Sequence, residues 1–152
     1  MKYTAIGENH LYQKAYTHGI RCGTKTVVIY CLRDYAAERL RRANPEKKRI
    51  DRVGLTVTKK LGHAVVRSRV KRILREGYRQ LDKETPVKRG FLIVIAAREA
   101  AVNAKTQDVL ADMRYAFRRL EMLEGMAFTG ENAEKIFKNP KKKPAPKKES
   151  KP

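Results

Sequence analysis

The apolar positions change period several times along the chain, and each change marks an element. Across Asn9–His18, Leu11, Ala15 and His18 recur at helical spacing, with Asn9 placed to cap the start and Gly19 to stop the end, which predicts a short helix. Tyr12 and Tyr16 stand four apart, so they share one face of it. Residues 26–32 (TVVIYCL) are dominated by β-branched side chains and predict a strand. Residues 34–50 are polar, weakly helical as far as Ala43 and broken by Asn44-Pro45, and read as a basic excursion inserted between strands. Over residues 52–58 the pattern alternates, with Val53, Leu55 and Val57 on one face and Gly54, Thr56 and Thr58 on the other. The first face is expected to be core and the second wet.

The clearest pattern follows Lys59-Lys60-Leu61-Gly62, in AVVRSRVKRILREGYRQL. At about 100° per residue, Val66, Val70, Ile73, Leu74, Gly77 and Leu81 fall within an arc of roughly 100°. This is a core-facing helix. Arg67, Arg69, Lys71, Arg72, Arg75 and Arg79 occupy the rest of its circumference, and the first acidic side chain after Lys59 is Glu76. Phe91–Ala97 (FLIVIAA) is a continuous apolar run, suited to a strand covered on both faces. Thr106 is a candidate cap for a last amphipathic helix that carries Leu110, Met113, Phe117 and Leu120 and ends near Gly125. Residues 133–137 are marginal, and the closing KNPKKKPAPKKESKP has nothing to bury and reads as disordered. The order helix, strand, strand, helix, strand, helix predicts an α+β fold, a two-layer α-β sandwich on a small sheet. A single domain is expected over 1–125, with a basic insertion at 34–50 and a Lys/Pro-rich tail at 126–152.

Charge narrows the partners. The 152 residues hold 36 Lys and Arg against 16 Asp and Glu, a net charge of +20. Seven lysines and one glutamate put residues 138–152 at +6 and leave the other 137 residues at +14. The folded part is basic in its own right, which favours a polyanionic partner. No apolar run approaches the ~18 residues of a membrane span, and MKYTAIGENH lacks the apolar centre of an export signal. A cytoplasmic protein without membrane contact is expected. Cys22 and Cys31 have no C-x-x-C spacing and read as ordinary thiols in or beside a strand.

Three constellations bear on chemistry. KKLGHAVVRSRVKRILR sets seven cations between Lys59 and Arg75 without an acid, and phosphates would relieve the repulsion among them. The predominance of Arg in the helix suits bidentate phosphate contacts. A charged helix face is ordinarily just solvated, but here the single sign argues for an anionic partner. Tyr12, Tyr16 and Tyr30 beside Thr56, Thr58 and Lys60 could stack single-stranded bases, although spacing alone favours core tyrosines. His10, His18 and His63 are scattered and give no spacing signal for acid-base catalysis. Neither a G-x-x-x-x-G-K-[ST] phosphate loop nor a clustered carboxylate array is present in the sequence. No catalytic residue and no metal ligand is expected.

The run RVGLTVTKKLGHAVVRSRVKRILRE closely resembles the signature of the protein subunit of bacterial ribonuclease P, with looser similarity through LYQKAYTHG, TVVIYCL, FLIVIAA and the helix at 106–120. The resemblance implies a left-handed β-α-β crossover, against the general right-handed preference. It implies a holoenzyme subunit of an endoribonuclease that removes the 5′ leader of precursor tRNA. The RNA subunit would be the catalyst, Mg²⁺ would be held mainly by that RNA, no organic cofactor would be needed, and the protein alone would be inactive. The implied partners are the ribonuclease P RNA subunit and precursor tRNA. On the same resemblance, Lys59, Lys60, Arg67, Ser68, Arg69, Lys71, Arg72 and Arg75 would lie against the catalytic RNA. Tyr12, Tyr16, Tyr30, Thr56, Thr58 and Lys60 would outline the cleft for the single-stranded leader, which moves the tyrosines from core to stacking surface. His63 and Ser68 stand where the family usually has Asn, and Tyr12 and Tyr16 where Phe is frequent; Tyr keeps the ring, whereas Ser68 lacks the two-sided amide of Asn. The insertion and tail lie outside the shared pattern. The alternative is a structural, ribosome-associated RNA-binding protein with the same basic helix and no role in cleavage.

Overall fold

Strand β5 (Phe91–Ala97) organises the fold because it is apolar on both faces, and Phe91 through Ile95 are all buried. In the computed structural model, which describes residues 3–43 and 51–137, it lies at the centre of a five-stranded sheet. The sheet also contains β1 (Tyr3–Ala5), β2 (Ile20–Gly23), β3 (Val27–Arg33) and β4 (Asp51–Thr56), in the order β1-β4-β5-β3-β2. Strand β4 runs parallel to β5, while β3 is antiparallel to it. Helix α1 (Asn9–His18) packs on one face of β3 and β5, and α3 (Ala64–Glu84) and α4 (Thr106–Arg119) cover the other face. The architecture is therefore the expected α-β sandwich, with α3 joining two adjacent parallel strands.

The main core lies on the α3–α4 side. Val70, Ile73, Leu74, Gly77 and Leu81 are buried as the periodicity predicts, and Val66 is half-buried. Tyr78 and Asp82 join them, and neither was expected from the apolar arc. Val109, Leu110, Met113, Ala116 and Phe117 form the facing stripe of α4. Gly77 faces Met113 and Val109 across the α3–α4 contact, and an added Cβ there would touch both at 3.4 Å, about ordinary van der Waals distance. Among the described residues no helix is long and apolar enough to cross a membrane.

Four elements were missing from the expected order. Strands β1 and β2 have three and four residues, too short for alternation to declare itself. Each is specified by its partner, β1 by β4 and β2 by β3. Helix α2 (Tyr35–Ala43) occupies the first half of the insertion, and 44–50 lie outside the described residues. Helix α5 (Gly130–Ile136) corrects the boundary expected at 125. Ile136 is 1% exposed in the main core and Phe128 packs on Phe91, so the folded unit continues at least to Phe137. Residues 138–152, expected to be disordered, lie outside the described residues. Two expected caps move by one position: Asn9 and Thr106 are the first helical residues, preceded by Glu8 and Lys105. The Asp108 carboxylate accepts the Lys105 N–H at 3.0 Å and so ties down the start of α4.

The neck of the insertion is fastened by charge. Asp34, 2% exposed, accepts two hydrogen bonds from Arg52, at 2.6 and 2.7 Å, and its backbone N–H donates to Gly90. Nearby, Asp51 is fully buried and accepts the Phe91 N–H at 3.0 Å, with Tyr78 and Arg89 each 3.5 Å away. Arg89 makes its closer contacts to Asp82, at 2.9 Å to each carboxylate oxygen. Burial pushes the Asp51 carboxyl up to about 7, against the pull of the Phe91 N–H and Arg89. At Asp82 burial acts upward too, but the Arg89 hydrogen bonds and the Val87 N–H hold the carboxyl below its ordinary range.

Candidate nucleic-acid interface

The ladders place Arg52, Gly54 and Thr56 of β4, Leu92, Val94 and Ala96 of β5, and Leu32, Tyr30 and Val28 of β3 on the α1 side of the sheet. Leu11 and Ala15 of α1 seal the inner end of this face against Leu32, Leu92 and Val94. Towards the other end the cover opens, and three tyrosines form its lip. The Tyr12 ring lies directly over Gly54, where a Cβ would come within 2.5 Å of it. The Tyr16 hydroxyl pairs with Thr56 Oγ1 at 2.9 Å, and its ring meets Tyr30 nearly edge-on at 4.8 Å. All three rings are half-buried, so each is braced on one side and open on the other. Burial, with Tyr16 adding to it, raises the Tyr12 phenol above its usual range, so the ring stays neutral.

The wet face expected on β4 is thus only partly wet. Gly54 is buried because Tyr12 covers it, and Thr56 is half-buried in its bond to Tyr16. Thr58 and Lys60 are exposed beyond the end of the strand, and among the described residues no hydrogen bond or ring contact joins them to the tyrosines. Val28 and Ala96, half-buried in the same row as Thr56, complete the floor. Sequence reasoning missed both because small apolar side chains carry no chemical signal; only the registers with Thr56 reveal them.

After β4 the chain makes a one-turn 3-10 helix at Lys59–Leu61 and enters α3 at Ala64. Gly62 takes φ +146°, a conformation that L side chains rarely adopt, and turns the chain between the two helices. The first turn of α3 has no acidic residue and no side-chain cap. Its orphan N–H groups add positive potential to that of the side chains. Lys59, Lys60, Ser68, Lys71, Arg72 and Arg75 are exposed, and Arg67 is half-buried, with its Nε buried and lacking a hydrogen-bond partner. Among the described residues none of these cations pairs with a carboxylate. Arg69 differs in that its guanidinium donates to the carbonyls of Val102 at 2.8 Å and Ala104 at 3.4 Å, which ties α3 to the chain following β5. The acid-free stretch ends at Glu76, which pairs with Arg79 at 2.6 Å.

The remaining candidates do not converge. His10 sits beside Glu8 at 3.3 Å, while His18 and His63 are exposed on separate elements. Cys31 is buried and Cys22 half-buried, both as free thiols. Among the described residues no group of three or more His, Cys, Asp or Glu is placed to hold a metal ion.

The sequence model of the ribonuclease P family matches residues 2–121, which takes in both the tyrosine-lined cleft and the cationic helix. The chain belongs to the ribonuclease P protein family. Among its relatives, the ribonuclease P protein component of Clostridioides difficile (strain 630) is 32% identical over 111 residues, covering 73% of this chain and 86% of the relative. That of Clostridium acetobutylicum is 31% identical over 119 residues, covering 78% and 90%. The fold is shared with the Staphylococcus aureus RNase P protein, at a TM-score of 0.62 and 22% identity over 79% of this chain and 97% of that one. It is shared too with the RNase P protein of Thermotoga maritima, at 0.53 and 18% over 68% and 86%. Membership of the ribonuclease P family makes the chain a component of an endoribonuclease that acts in tRNA 5′ processing.

Proposed function

We propose that this protein binds the ribonuclease P RNA through the cationic side of α3 and the 5′ leader of precursor tRNA through the cleft beside α1. In this reading the RNA is the catalyst and holds Mg²⁺, and the protein contributes affinity and position. The observation that carries it is the separation of two surfaces on one sheet. On one side stand free cations at Lys59, Lys60, Arg67, Lys71, Arg72 and Arg75; on the other, three braced tyrosine rings open to solvent.

Each surface suits a different form of RNA. Unpaired guanidinium and ammonium groups along a helix neutralise crowded phosphates, with Arg67, Arg72 and Arg75 able to take two phosphate oxygens each. Ser68, exposed between them, adds a hydroxyl donor. Arg69 is occupied by backbone carbonyls and contributes its charge more than its hydrogen bonds. In the cleft, flat rings over a floor of Val28, Ala96 and Thr56 accept unstacked bases, and a single strand offers such bases where a duplex does not. Thr58 and Lys60, exposed past the end of β4, would then meet the backbone leaving the cleft.

Reconstitution tests this directly. The protein, the ribonuclease P RNA and a precursor tRNA are combined at low Mg²⁺, and cleavage is followed with and without protein. Stimulation by the protein, no cleavage by protein alone, and loss of leader preference in Tyr16→Ala with little change in affinity for mature tRNA are expected. An absence of stimulation would leave a structural RNA-binding role, and equal losses for both substrates would remove the cleft from leader binding.

A further inference from the structure

At the β2 edge of the sheet, a second groove of about 700 Å³ runs between that strand, the end of α4 and the segment leading into α5. Its volume falls in the ~300–1,000 Å³ range of small-ligand sites. We propose that this groove is an extension of the leader cleft, taking nucleotides beyond those held by the tyrosines, with phosphates on Arg21, Arg118 and Arg119 and a base on Tyr115. The proposal rests on the leader-binding reading of the cleft and adds to it a longer path.

Register supplies the continuity. Arg21 is the direct cross-strand partner of Tyr30, so the row that carries the cleft's outer ring ends on a guanidinium at the sheet edge. Adjacent strands lie about 4.8 Å apart, less than the reach of one nucleotide. Arg118 and Arg119 approach the same groove from the last turn of α4, almost a hundred positions away in sequence. Among the described residues none of the three pairs with a carboxylate. Tyr115, one turn earlier, is 55% exposed, one of three large hydrophobic residues left so open among the described residues. A ring beside free guanidinium groups is what a single strand uses.

Two carboxylates also line the groove, and they mark its outer wall. Glu121 accepts the Thr129 N–H and hydroxyl, at 2.8 Å each, and the Asn132 amide at 3.1 Å, so its oxygens are occupied in shaping the turn into α5. Glu131 is exposed at the start of α5. That wall, Met126, Thr129, Glu131 and Asn132, lies beyond residue 121, where the family match ends. Part of the groove's lining therefore lies outside the residues that the family model matches.

The experiment measures binding of fluorescent single-stranded oligoribonucleotides, about four and about ten nucleotides long, to the full chain by anisotropy at fixed salt. Wild type is expected to bind the ten-mer more tightly. Arg118→Gln with Arg119→Gln should remove about tenfold of ten-mer affinity and leave the four-mer unchanged, and Tyr115→Ala, at an exposed ring, should act the same way without threatening the fold. A control of equal charge, Lys83→Gln with Lys105→Gln, should retain the ten-mer advantage. Unchanged ten-mer binding in both groove variants, or an equal loss in the control, would overturn the proposal. Failure of the cleft reading looks different: Tyr16→Ala would then leave four-mer affinity intact.

Discussion

Asp51 holds a carboxyl that the fold prefers neutral. Its pKa stands near 7, raised above the unfolded range of about 4, so the native state binds a proton the unfolded chain has lost. The stability this contributes is complete below pH 4, falls as pH rises, and is gone above 7. Asp82 has the opposite sign: its lowered pKa contributes stability that is lost only as pH falls below the carboxylate range. Denaturant midpoints should show wild type losing stability from pH 5 to 7 relative to Asp51→Asn, by on the order of 1 kcal/mol per pH unit at most. A parallel pair of profiles would show that Asp51 is ionised throughout. Gly54 and Tyr12 form a second single-residue test. Gly54→Ala forces the ring off the strand, because a Cβ lies within 2.6 Å of two ring carbons and the phenol oxygen of Tyr12. The ring is half-exposed and can swing outward, so the fold should survive while four-mer affinity falls. In a Tyr12→Ala background the same change should be silent, and additive losses would refute the contact.

Helix α3 uses similar residues for different ends. Among the described residues Arg67 and Arg72 make no ion pair, so Arg67→Gln with Arg72→Gln should leave the thermal midpoint nearly unchanged and lower the slope of log affinity for ribonuclease P RNA against log salt by about 2. Arg69→Ala should instead cost about 1 kcal/mol of stability, because it frees the carbonyls of Val102 and Ala104. Calorimetry and a salt titration separate the two roles. At α5, Ile136→Ala should destabilise by roughly 2–5 kcal/mol, as for a core residue, although the sequence around it looks like a polar tail. This is where reading the sequence failed for a physical reason. A seven-residue helix with one buried side chain has no period to detect, whereas the twenty-one residues of α3 repeat their apolar arc several times. Arg69 was legible as a cation but not as a tether, since its acceptors lie over thirty positions away.

Across the whole molecule, what could be read locally was the core and the sign of the charge; what depended on strand register could not. The tyrosines were visible as a set, yet their brace on Thr56, the cover over Gly54 and the floor at Val28 and Ala96 all follow from which strand lies beside which. Asp51 gave a fainter hint, as a carboxylate on the same alternating face as Val53 and Leu55. The Asp34–Arg52 clamp, at the neck of the 34–50 excursion, has a consequence for how this protein can change. Because the Asp34–Arg52 pair spans the neck, segments of other lengths and sequences spliced in between are expected to cost on the order of loop closure, about 0.6 kcal/mol per doubling. The neck is a socket, open to grafting by evolution or by design, and breaking it with Asp34→Ala should make such grafts far less well tolerated.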